Sequence, residues 1–505
     1  MRMQVDHVGP NLAQSPAHAI WPAHGSRGGS KKTRLISTLR RPGLTTLVVT
    51  LAVVAAVSLA AGATVATGRT HVKGAPPRLV ASNLGRDLPG RLTPTSAKHT
   101  YYVDGAHGSD RNRGSRKAPW QTIRKALAVV PLSGSVIEVL PGTYYSDGTD
   151  YALVFNRKGD TENPITVEAA VPGTVTIANG DVEKSTFGAW IVHASGLRIQ
   201  GLRFRMLTRQ SSNIGASAVL IEDSDRIEIT GCTFNEMSSG AMSVRGGVGT
   251  TSDDVWVIDN VFRPSGTDPT LRVTGLGFAS DQYFGSKGSH WIYAGQYGND
   301  STWEQTSGSR RLVIVNNVFT GTTAGRDIEL GPQARSSYVV DNTIYGNQPA
   351  DAIGSSTKAI FAGQGVQLFS NSSTRAYMNG FNVIANNVFA DLYGNAVDGS
   401  GPPEPGNVVM HNLSSKVGLA QHAANSELFV VGEGNRVDAP RFVKPRTYDF
   451  RLQPRSPALR AAAPQFTYPF DAAGRLRPAA PAIGAFESVC KPNIKPKAHS
   501  GKGSC

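Results

Sequence analysis

The segment LVIVNNVF (residues 312–319) recurs along the chain, and this recurrence decides the fold class. Each copy has an apolar run, a tight turn and a second short apolar run. The other copies are LRIQGLRF (197–204), IEITGCTF (227–234), VWVIDNVF (255–262), YVVDNTIY (338–345), NVIANNVF (382–389) and NVVMHNL (407–413). Most matching positions lie 25 to 30 residues apart. Such steps fit one turn of a solenoid in which each strand pairs with its copy in the next coil, so we expect an all-β repeat domain.

The turn inside these copies carries a repeated asparagine. The residues that share this position are Asn260, Asn317, Asn342, Asn387 and Asn412. A tight bend between two strands needs left-handed backbone angles, which Asn adopts more readily than most residues. Stacked coils would also let successive amides hydrogen-bond to one another. We therefore assign these asparagines a structural role.

Two flanking stretches resemble the ends of known solenoid proteins. YYVDGAHGSD…VIEVLPGTYY (101–145) is similar to the N-terminal cap of the pectin-lyase-like superfamily, and YDFRLQPRSP…AIGAFE (448–487) is similar to its terminal module. This resemblance implies a right-handed parallel β-helix over residues 99–490, with a capping helix near Trp120–Val130. The superfamily includes lyases, hydrolases, epimerases, esterases and adhesins, so the resemblance implies a fold more specifically than a reaction.

The net charge of +14 lies at the ends of the chain. Residues 1–42, 69–98 and 491–505 carry +6, +5 and +4, which leaves about −1 for residues 99–490. A nearly neutral body lacks the organised basic surface of a nucleic-acid-binding protein, and we expect no nucleic-acid partner. We interpret the three segments as a basic cytoplasmic segment, a Pro/Gly-rich linker and a flexible basic tail.

Residues 43–68 contain no charged side chain and follow a basic run. This pattern predicts a membrane-spanning signal anchor, and a cleaved signal peptide is the alternative. Either one predicts an extracellular protein, membrane-anchored or secreted. The basic linker and tail would then attract anionic cell-wall polymers.

The segment 263–309 concentrates aromatic residues in a chain that is only 8% aromatic. Aromatic faces pack against sugar C–H groups, so this segment predicts contact with a polysaccharide. A loop packed on the solenoid wall is the alternative. The predicted sugar-contacting residues are Tyr283, Trp291, Tyr293 and Trp303, and Lys287 and His290 are candidate bases.

A second candidate region follows at GRDIELGPQAR (325–335). Strand alternation predicts Asp327 and Glu329 on one face, with Arg326 and Arg335 nearby. Such a group would bind a substrate carboxylate or a cation such as Ca²⁺ and supply acid–base groups, although no specific calcium site is recognisable. A solvated strand face with balanced charges is the alternative. Arg245 is expected on the same groove wall.

The favoured interpretation is a polysaccharide lyase or epimerase acting on a uronate-containing glycan. Lys287, His290 or Arg335 would remove the C5 proton, and Arg245 or Arg326 would stabilise the enolate. The order of a Glu, a basic residue and an Asn-Thr turn resembles the catalytic coil of alginate-lyase-like proteins, with Arg where that family has Lys.

Two other interpretations stay open on the sequence. Asp327 and Glu329 would serve a glycoside hydrolase that uses two carboxylates. A non-catalytic glycan-binding or cell-surface structural module is the third. The sequence leaves undecided whether the chain is an enzyme.

Overall fold

The fold was analysed in a computed structural model. The residues that it describes are 91–181, 186–206, 217–235, 237, 240–247, 249–263, 290–296, 308–321, 326–346, 364–369, 379–392, 394–400, 406–415, 420–422 and 429–488. Within these ranges, no helix is long and apolar enough to cross a bilayer. The predicted membrane segment 43–68 and the tail 491–505 lie outside the described residues.

The described residues form short strands with one short α-helix, α1 (Ile123–Val129). The strands of the N-terminal half are β1 (His99–Val103), β2 (Ser135–Val139), β3 (Gly142–Ser146), β4 (Leu153–Phe155), β5 (Ile165–Ala169), β6 (Val175–Asn179), β7 (Ala189–Val192), β8 (Ser195–Gln200), β9 (Arg203–Arg205), β10 (Ser217–Glu222), β11 (Asp225–Thr230), β12 (Thr233–Asn235), β13 (Gly240–Gly246), β14 (Thr251–Asp253), β15 (Trp256–Ile258) and β16 (Val261–Arg263). Those of the C-terminal half are β17 (His290–Gln296), β18 (Gly308–Arg310), β19 (Val313–Val315), β20 (Val318–Thr320), β21 (Arg326–Leu330), β22 (Ala334–Arg335), β23 (Tyr338–Val340), β24 (Thr343–Tyr345), β25 (Gln364–Phe369), β26 (Val383–Ala385), β27 (Val388–Ala390), β28 (Val397–Ser400), β29 (Val408–Met410), β30 (Leu413–Ser415), β31 (Ala420–His422), β32 (Val430–Val431), β33 (Arg436–Val437), β34 (Phe442–Lys444) and β35 (Asp449–Leu452).

Successive strands pass through three parallel sheets, and each coil adds a strand to each sheet. The first sheet has the order β1-β2-β5-β8-β11-β15-β19-β23-β26-β29-β32, with β14, β18 and β22 as a side line. The second has the order β3-β6-β9-β12-β16-β20-β24-β27-β30-β33. The third has the order β4-β7-β10-β13-β17-β21-β25-β28-β31. Among the described strands, only β34 and β35 pair antiparallel. This is the parallel β-helix that the repeats predict.

The interior is filled by stacked apolar side chains. Phe204, Phe234, Phe262 and Phe319 occupy one column on the second sheet, with ring centroids 5.0, 4.7 and 4.6 Å apart. Their planes are nearly parallel, and all four rings are fully buried. Identical residues at matching positions therefore build a continuous core, as expected of a solenoid.

The predicted asparagine ladder is present at the corner between the first and second sheets. The backbone N–H groups of Asn260, Asn317, Asn342 and Asn387 each donate to the side-chain Oδ1 of the asparagine one coil on, at 2.9 to 3.0 Å. The amide Nδ2 of each donates to the same oxygen at 3.0 to 3.1 Å. The column continues through Asn412 to Asn435.

The left-handed residue of this corner is not the ladder asparagine, as we expected, but the residue before it. Asp259, Asn316, Asp341, Asn386 and His411 have φ between 51° and 57°. The ladder asparagine can therefore keep ordinary angles while its side chain bonds to the neighbouring coil. The two demands of the corner, backbone reversal and amide bonding, fall on two adjacent residues.

Helix α1 lies within the stretch predicted to be helical, and it is shorter than predicted. Thr122 caps it by accepting a hydrogen bond from the N–H of Lys125. Its buried residues include Ile123 and Leu127, and it packs against β1 and β4, the end strands of the first and third sheets. The guanidinium of Arg157 donates to the carbonyl of Leu127 at 2.8 Å, which fixes the end of the helix.

The outer faces of the first and second sheets are covered by the chain itself. Phe450 and Ile483 pack in one apolar cluster with Val388 of the second sheet. Tyr468 packs with Trp256 and its neighbours on the first sheet. No described residue of the third sheet belongs to either of these two clusters.

Residues 91–98, which the sequence analysis placed in the linker, are part of this folded body. The side chain of Leu92 is buried. Arg198 on β8 donates to the carbonyl oxygens of Leu92 and Thr93 at 3.1 and 3.0 Å.

We expect the replacement Asn342→Ala to destabilise the domain strongly. It removes the acceptor of the Asn317 N–H and the donor to the carbonyls of Ile314 and Val340, all of which are buried. Each buried group left without a partner costs about 1–3 kcal/mol, so the free energy of unfolding should fall by at least about 3 kcal/mol. Urea unfolding followed by circular dichroism measures this. Asn435→Ala, at the half-buried end of the ladder, is the matched control and should lose less. An equal loss of unfolding free energy in both variants would contradict the stabilising role of the buried amide bonds.

We also expect the stability of the domain to fall as the pH rises from about 4 to about 7. Burial raises the pKa of Asp341 from 3.8 to about 7, although Arg477 opposes the shift. In this range the folded state therefore holds a proton that the unfolded state has released, and stability is lost with a slope of at most about 1.4 kcal/mol per pH unit. The variant Asp341→Asn should show a flatter dependence in urea unfolding. Asp449→Asn, whose carboxyl has a lowered pKa, should keep the wild-type slope. An unchanged slope in Asp341→Asn would count against this origin.

Candidate functional site

The outer face of the third sheet carries polar side chains on four adjacent strands. In β21, Ile328 and Leu330 are fully buried in the core, so Glu329 between them points outward. The same alternation turns Tyr293, Gln367 and Asp398 outward on β17, β25 and β28. The register pairs these four residues in sequence across the sheet, Tyr293 with Glu329, Glu329 with Gln367 and Gln367 with Asp398. We call them the polar row.

The two carboxylates of the polar row are joined by a buried hydrogen-bond chain. The Nη1 of Arg326 donates to the Oε2 of Glu329 at 2.6 Å. The Nε of Arg326 donates to the Oε1 of Gln364 at 3.3 Å, and the Nε2 of Gln364 donates to the Oδ2 of Asp398 at 3.0 Å. All four side chains are buried, and charge-assisted bonds of this kind hold them in place.

Gln367 lies between the two carboxylates and has unmet hydrogen-bonding capacity. Its side chain is 1% exposed. Within the part of the chain that the structure describes, neither its Nε2 nor its Oε1 has a hydrogen-bond partner. A buried amide without partners costs about 1–3 kcal/mol for each unmade bond, so such groups are rare in folded proteins. The amide is suited to a ligand that offers both a donor and an acceptor, such as a sugar with neighbouring hydroxyl groups.

Tyr293 is the half-exposed member of the polar row. Its ring lies directly over Gly331, where an added Cβ would be 3.0 Å from both the Cε2 and the hydroxyl oxygen of the ring. A larger residue at this position would displace the ring. Gly331 therefore allows Tyr293 to lie flat beside Glu329.

Asp327 does not share the outer face with Glu329, so this prediction is wrong. Asp327 is fully buried and lies in register between Trp291 and Gly365, because its neighbours pair on both sides. A Cβ on Gly365 would lie 2.6 Å from the ring of Phe389, which places this column toward the interior. The alternation fails because Asp327 and Ile328, at the start of the strand, both point away from the outer face.

The sugar-contact prediction for Trp291 is also wrong. Its side chain is buried and belongs to the apolar core, with its ring centroid 5.9 Å from that of Phe262. Its indole N–H has no hydrogen-bond partner. The residue lies on strand β17 and packs beside the phenylalanine column inside the core, which also differs from the alternative of a loop packed on the solenoid wall.

The remaining predicted site residues lie at different places. Arg245 on β13 forms an ion pair with Glu222 of β10, next to the polar row on the same sheet. Arg335 lies on β22, in the side line beside Arg310. The backbone of His290 pairs with Arg326. Lys287, Tyr283 and Trp303 lie outside the described residues.

Asp398 and Gln364 were missed by the sequence analysis. Asp398 ends the short run NAVD (395–398), and Gln364 directly precedes the run GVQLF (365–369); the repeats identify both runs as strands. The signal was present in the register, because aligning these runs with DIELG places Asp398 and Gln367 in the column of Glu329. Neither residue stands out by type or spacing within its own coil.

No group of three or more His, Cys, Asp or Glu side chains that could hold a metal occurs among the described residues. Asp253 and Asp254, which the sequence places at a strand start, both form ion pairs with Arg311, at 3.2 and 2.6 Å. Asp254 has a φ of 55° and thus serves a corner.

Comparison with known proteins finds sequence similarity over a part of the chain only. Residues 106–241, just over a quarter of the chain, match a family model. The model is described as a protein of unknown function, DUF1565. A lacto-N-biosidase of Bifidobacterium longum subsp. longum is 35% identical over 99 residues, which cover 18% of this chain and 6% of that protein. The chain thus spans a small fraction of this curated relative.

Among solved structures, pectate lyase Pel9A matches with a TM-score of 0.49 and 16% identity, over 78% of this chain and 97% of that one. The GH136 lacto-N-biosidase from Eubacterium ramulus matches with a TM-score of 0.41 and 12% identity, over 67% of each chain. The described strands form a parallel β-helix, the architecture that the sequence resemblance implies. Similarity at these identities concerns the fold and assigns no reaction.

We expect Arg326→Leu to destabilise the folded protein by about 3–5 kcal/mol, because it leaves the carboxylate of Glu329 buried without its guanidinium. The double variant Arg326→Leu with Glu329→Leu should recover most of this loss, since no unpaired charge remains. Arg451→Leu, which breaks an exposed pair with Asp449, should cost about 0–1 kcal/mol. Urea unfolding measures the free energy of unfolding of the wild type and these three variants. If Arg326→Leu loses no more unfolding free energy than Arg451→Leu, the buried pair has no structural importance.

Proposed function

We propose that the polar row is the active site of a carbohydrate-active enzyme, and that this enzyme is a glycoside hydrolase. The observation that carries the proposal is the pair of outward carboxylates, Glu329 and Asp398, held by Arg326 and Gln364 on one sheet face. Two positioned carboxyl groups are the acid and base of most glycosidases. The curated relative, named a lacto-N-biosidase, adds support for glycan chemistry.

The backbones of the two carboxylate residues are farther apart than the carboxyl groups of a retaining enzyme, and we propose an inverting mechanism on this ground. Glu329 and Asp398 are two strand positions apart, with Gln367 between them. Adjacent strands are about 4.8 Å apart, so the two backbones are separated by about 9.6 Å. Inverting glycosidases hold their carboxyl groups about 6.5–9.5 Å apart to leave room for water, whereas retaining enzymes hold them at about 5–5.5 Å.

In the proposed reaction, one carboxyl group protonates the leaving oxygen while the other activates a water molecule on the opposite face of the sugar. The unpartnered amide of Gln367 would bind sugar hydroxyl groups between them. Tyr293, the half-exposed member of the row, would pack against the sugar ring. Arg326 and Gln364 position the two carboxylates.

A uronate lyase or epimerase is the second candidate. Arg326 and Tyr293 favour it, since a guanidinium neutralises a uronate carboxylate and a phenol can transfer a proton. The charge on the face opposes it: Arg245 and Arg326 both form ion pairs with glutamates, and Asp398 adds a negative charge. The five charged side chains described there therefore sum to −1, which disfavours an acidic substrate.

Export and attachment are proposals that the sequence alone supports. Residues 43–68 would anchor the chain in a membrane or direct its secretion, and the basic flanking segments would bind anionic cell-wall polymers. A glycan-binding module without turnover is the remaining alternative for the domain.

The hydrolase proposal is tested by incubating the protein with neutral and uronate-containing polysaccharides. We expect new reducing ends without unsaturated-uronate absorbance, and products of inverted anomeric configuration by NMR. Glu329→Gln and Asp398→Asn should each lower kcat by about 10²–10⁴-fold, the usual contribution of one acid or base. Glu138→Gln, on the first sheet, should leave kcat unchanged.

Unsaturated products would instead establish the lyase. Turnover that survives in both carboxylate variants would exclude the polar row as the active site. The pH dependence of kcat in the two variants assigns the acid and the base, because each variant should lose one limb of the profile.

A further inference from the structure

The third sheet carries a second outward feature near its N-terminal end. Trp190 on β7 lies between Ala189 and Ile191, which are both fully buried, so its side chain points outward. The ring of Tyr151 is stacked on it, with centroids 6.0 Å apart and planes 25° from parallel. Phe187 meets Tyr151 edge-on at 5.8 Å. We call these three residues the aromatic platform.

The aromatic platform is not part of the buried core. Tyr151, Phe187 and Trp190 are each half-buried, and none belongs to an apolar core cluster. Neither the hydroxyl of Tyr151 nor the indole N–H of Trp190 forms a hydrogen bond in the described part of the chain. The platform therefore combines flat apolar faces with two polar groups that can still bond to a ligand.

The platform and the polar row lie along the same line of the sheet. The register runs from Trp190 through Leu220 and Ser243 to Tyr293 and then to Glu329. Four strand spacings of about 4.8 Å place Trp190 about 19 Å from Glu329. That distance corresponds to several sugar units of an extended glycan and is too long for one disaccharide.

We propose that the aromatic platform is a distal subsite that binds one sugar ring of an oligosaccharide whose reacting bond lies at the polar row. This inference rests on the proposed function for its orientation, and it adds the ligand class: a chain of pyranose rings long enough to reach both places. Sugar C–H groups would pack on Trp190 and Tyr151, while the hydroxyl of Tyr151 and the indole N–H of Trp190 would bond to sugar oxygens. Leu220 and Ser243 between the two ends are buried, so a glycan that reaches both places would pass over the residues that cover them and contact this row only at its ends.

The test is binding of short and long oligosaccharides to the full chain by isothermal titration calorimetry. The probes are cellohexaose, xylohexaose and hexagalacturonate, each compared with its disaccharide. At least one hexasaccharide should bind the wild type more tightly than its disaccharide does. Trp190→Ala should weaken that hexasaccharide about tenfold, the equivalent of one aromatic contact, and leave the disaccharide unchanged.

Three further variants complete the experiment. Tyr151→Ala should have the same effect in direction, and Trp190→Phe should keep most of the affinity, which separates loss of stacking from misfolding. Tyr145→Ala removes a ring that is 63% exposed on the second sheet and should bind like the wild type.

The outcomes distinguish this inference from the proposed function. Glu329→Gln should bind the hexasaccharide normally and lose turnover. Binding that depends on Trp190, without turnover by the wild type, would end the hydrolase proposal and support the platform as a glycan site. Equal hexasaccharide affinity in the wild type and Trp190→Ala, or no hexasaccharide binding by the wild type, would overturn the inference. If the platform binds a protein partner instead of a glycan, the wild type will bind no hexasaccharide.

Discussion

From Asn260 to Asn412, the described coils of this protein turn a corner where the backbone is buried away from water. The peptide groups there would be left without partners, at a cost that repeats with each coil. The asparagine ladder meets this demand, because each side-chain oxygen accepts from the preceding coil and each amide nitrogen donates to carbonyl groups. The ladder also fixes the spacing and register of neighbouring coils, and the rest of the structure inherits that register.

One consequence of a fixed register is that residues far apart in sequence are aligned in rows. Glu329 and Asp398 are 69 residues apart, yet the register places them two strands apart. The same constraint stacks the phenylalanine column inside. A site on such a sheet is assembled by adding one side chain per coil, so its geometry depends on corners that contain none of its residues.

The three sheets differ in what covers them. The C-terminal segment packs apolar residues such as Phe450 and Tyr468 over the second and first sheets. The outer face of the third sheet instead presents carboxylates, amides and aromatic rings. The division follows from composition, since apolar outer rows are stabilised by the apolar residues that bury them, whereas the buried carboxylates of the third sheet are stabilised by hydrogen bonds with Arg326 and Gln364.

The sequence predicted the solenoid and its ladder well, because both leave a periodic mark. It placed Glu329 on the outer face, since simple alternation holds in the middle of a strand. It failed for Asp327 and Trp291, because two consecutive residues turn inward where the strand leaves the corner. Asp398 escaped notice because its importance comes from strands of other coils, which no local pattern records.

The ladder ends at Cys232, and this gives the solenoid two unlike halves. The N–H of Cys232 still donates to Asn260 at 2.8 Å, but its thiol contacts the carbonyls of Thr230 and Ile199 at 3.4 and 3.8 Å instead of bonding to a further amide. Upstream, Gly201 and Leu202 form the corner without any amide side chain. The C-terminal coils are thus joined by a continuous row of amides, while the N-terminal coils are held by longer strands and by side-chain pairs such as Arg198 with Glu228. The polar row lies in the coils that the amides join, so a change in the ladder would reach its geometry, whereas the N-terminal coils keep their register without it.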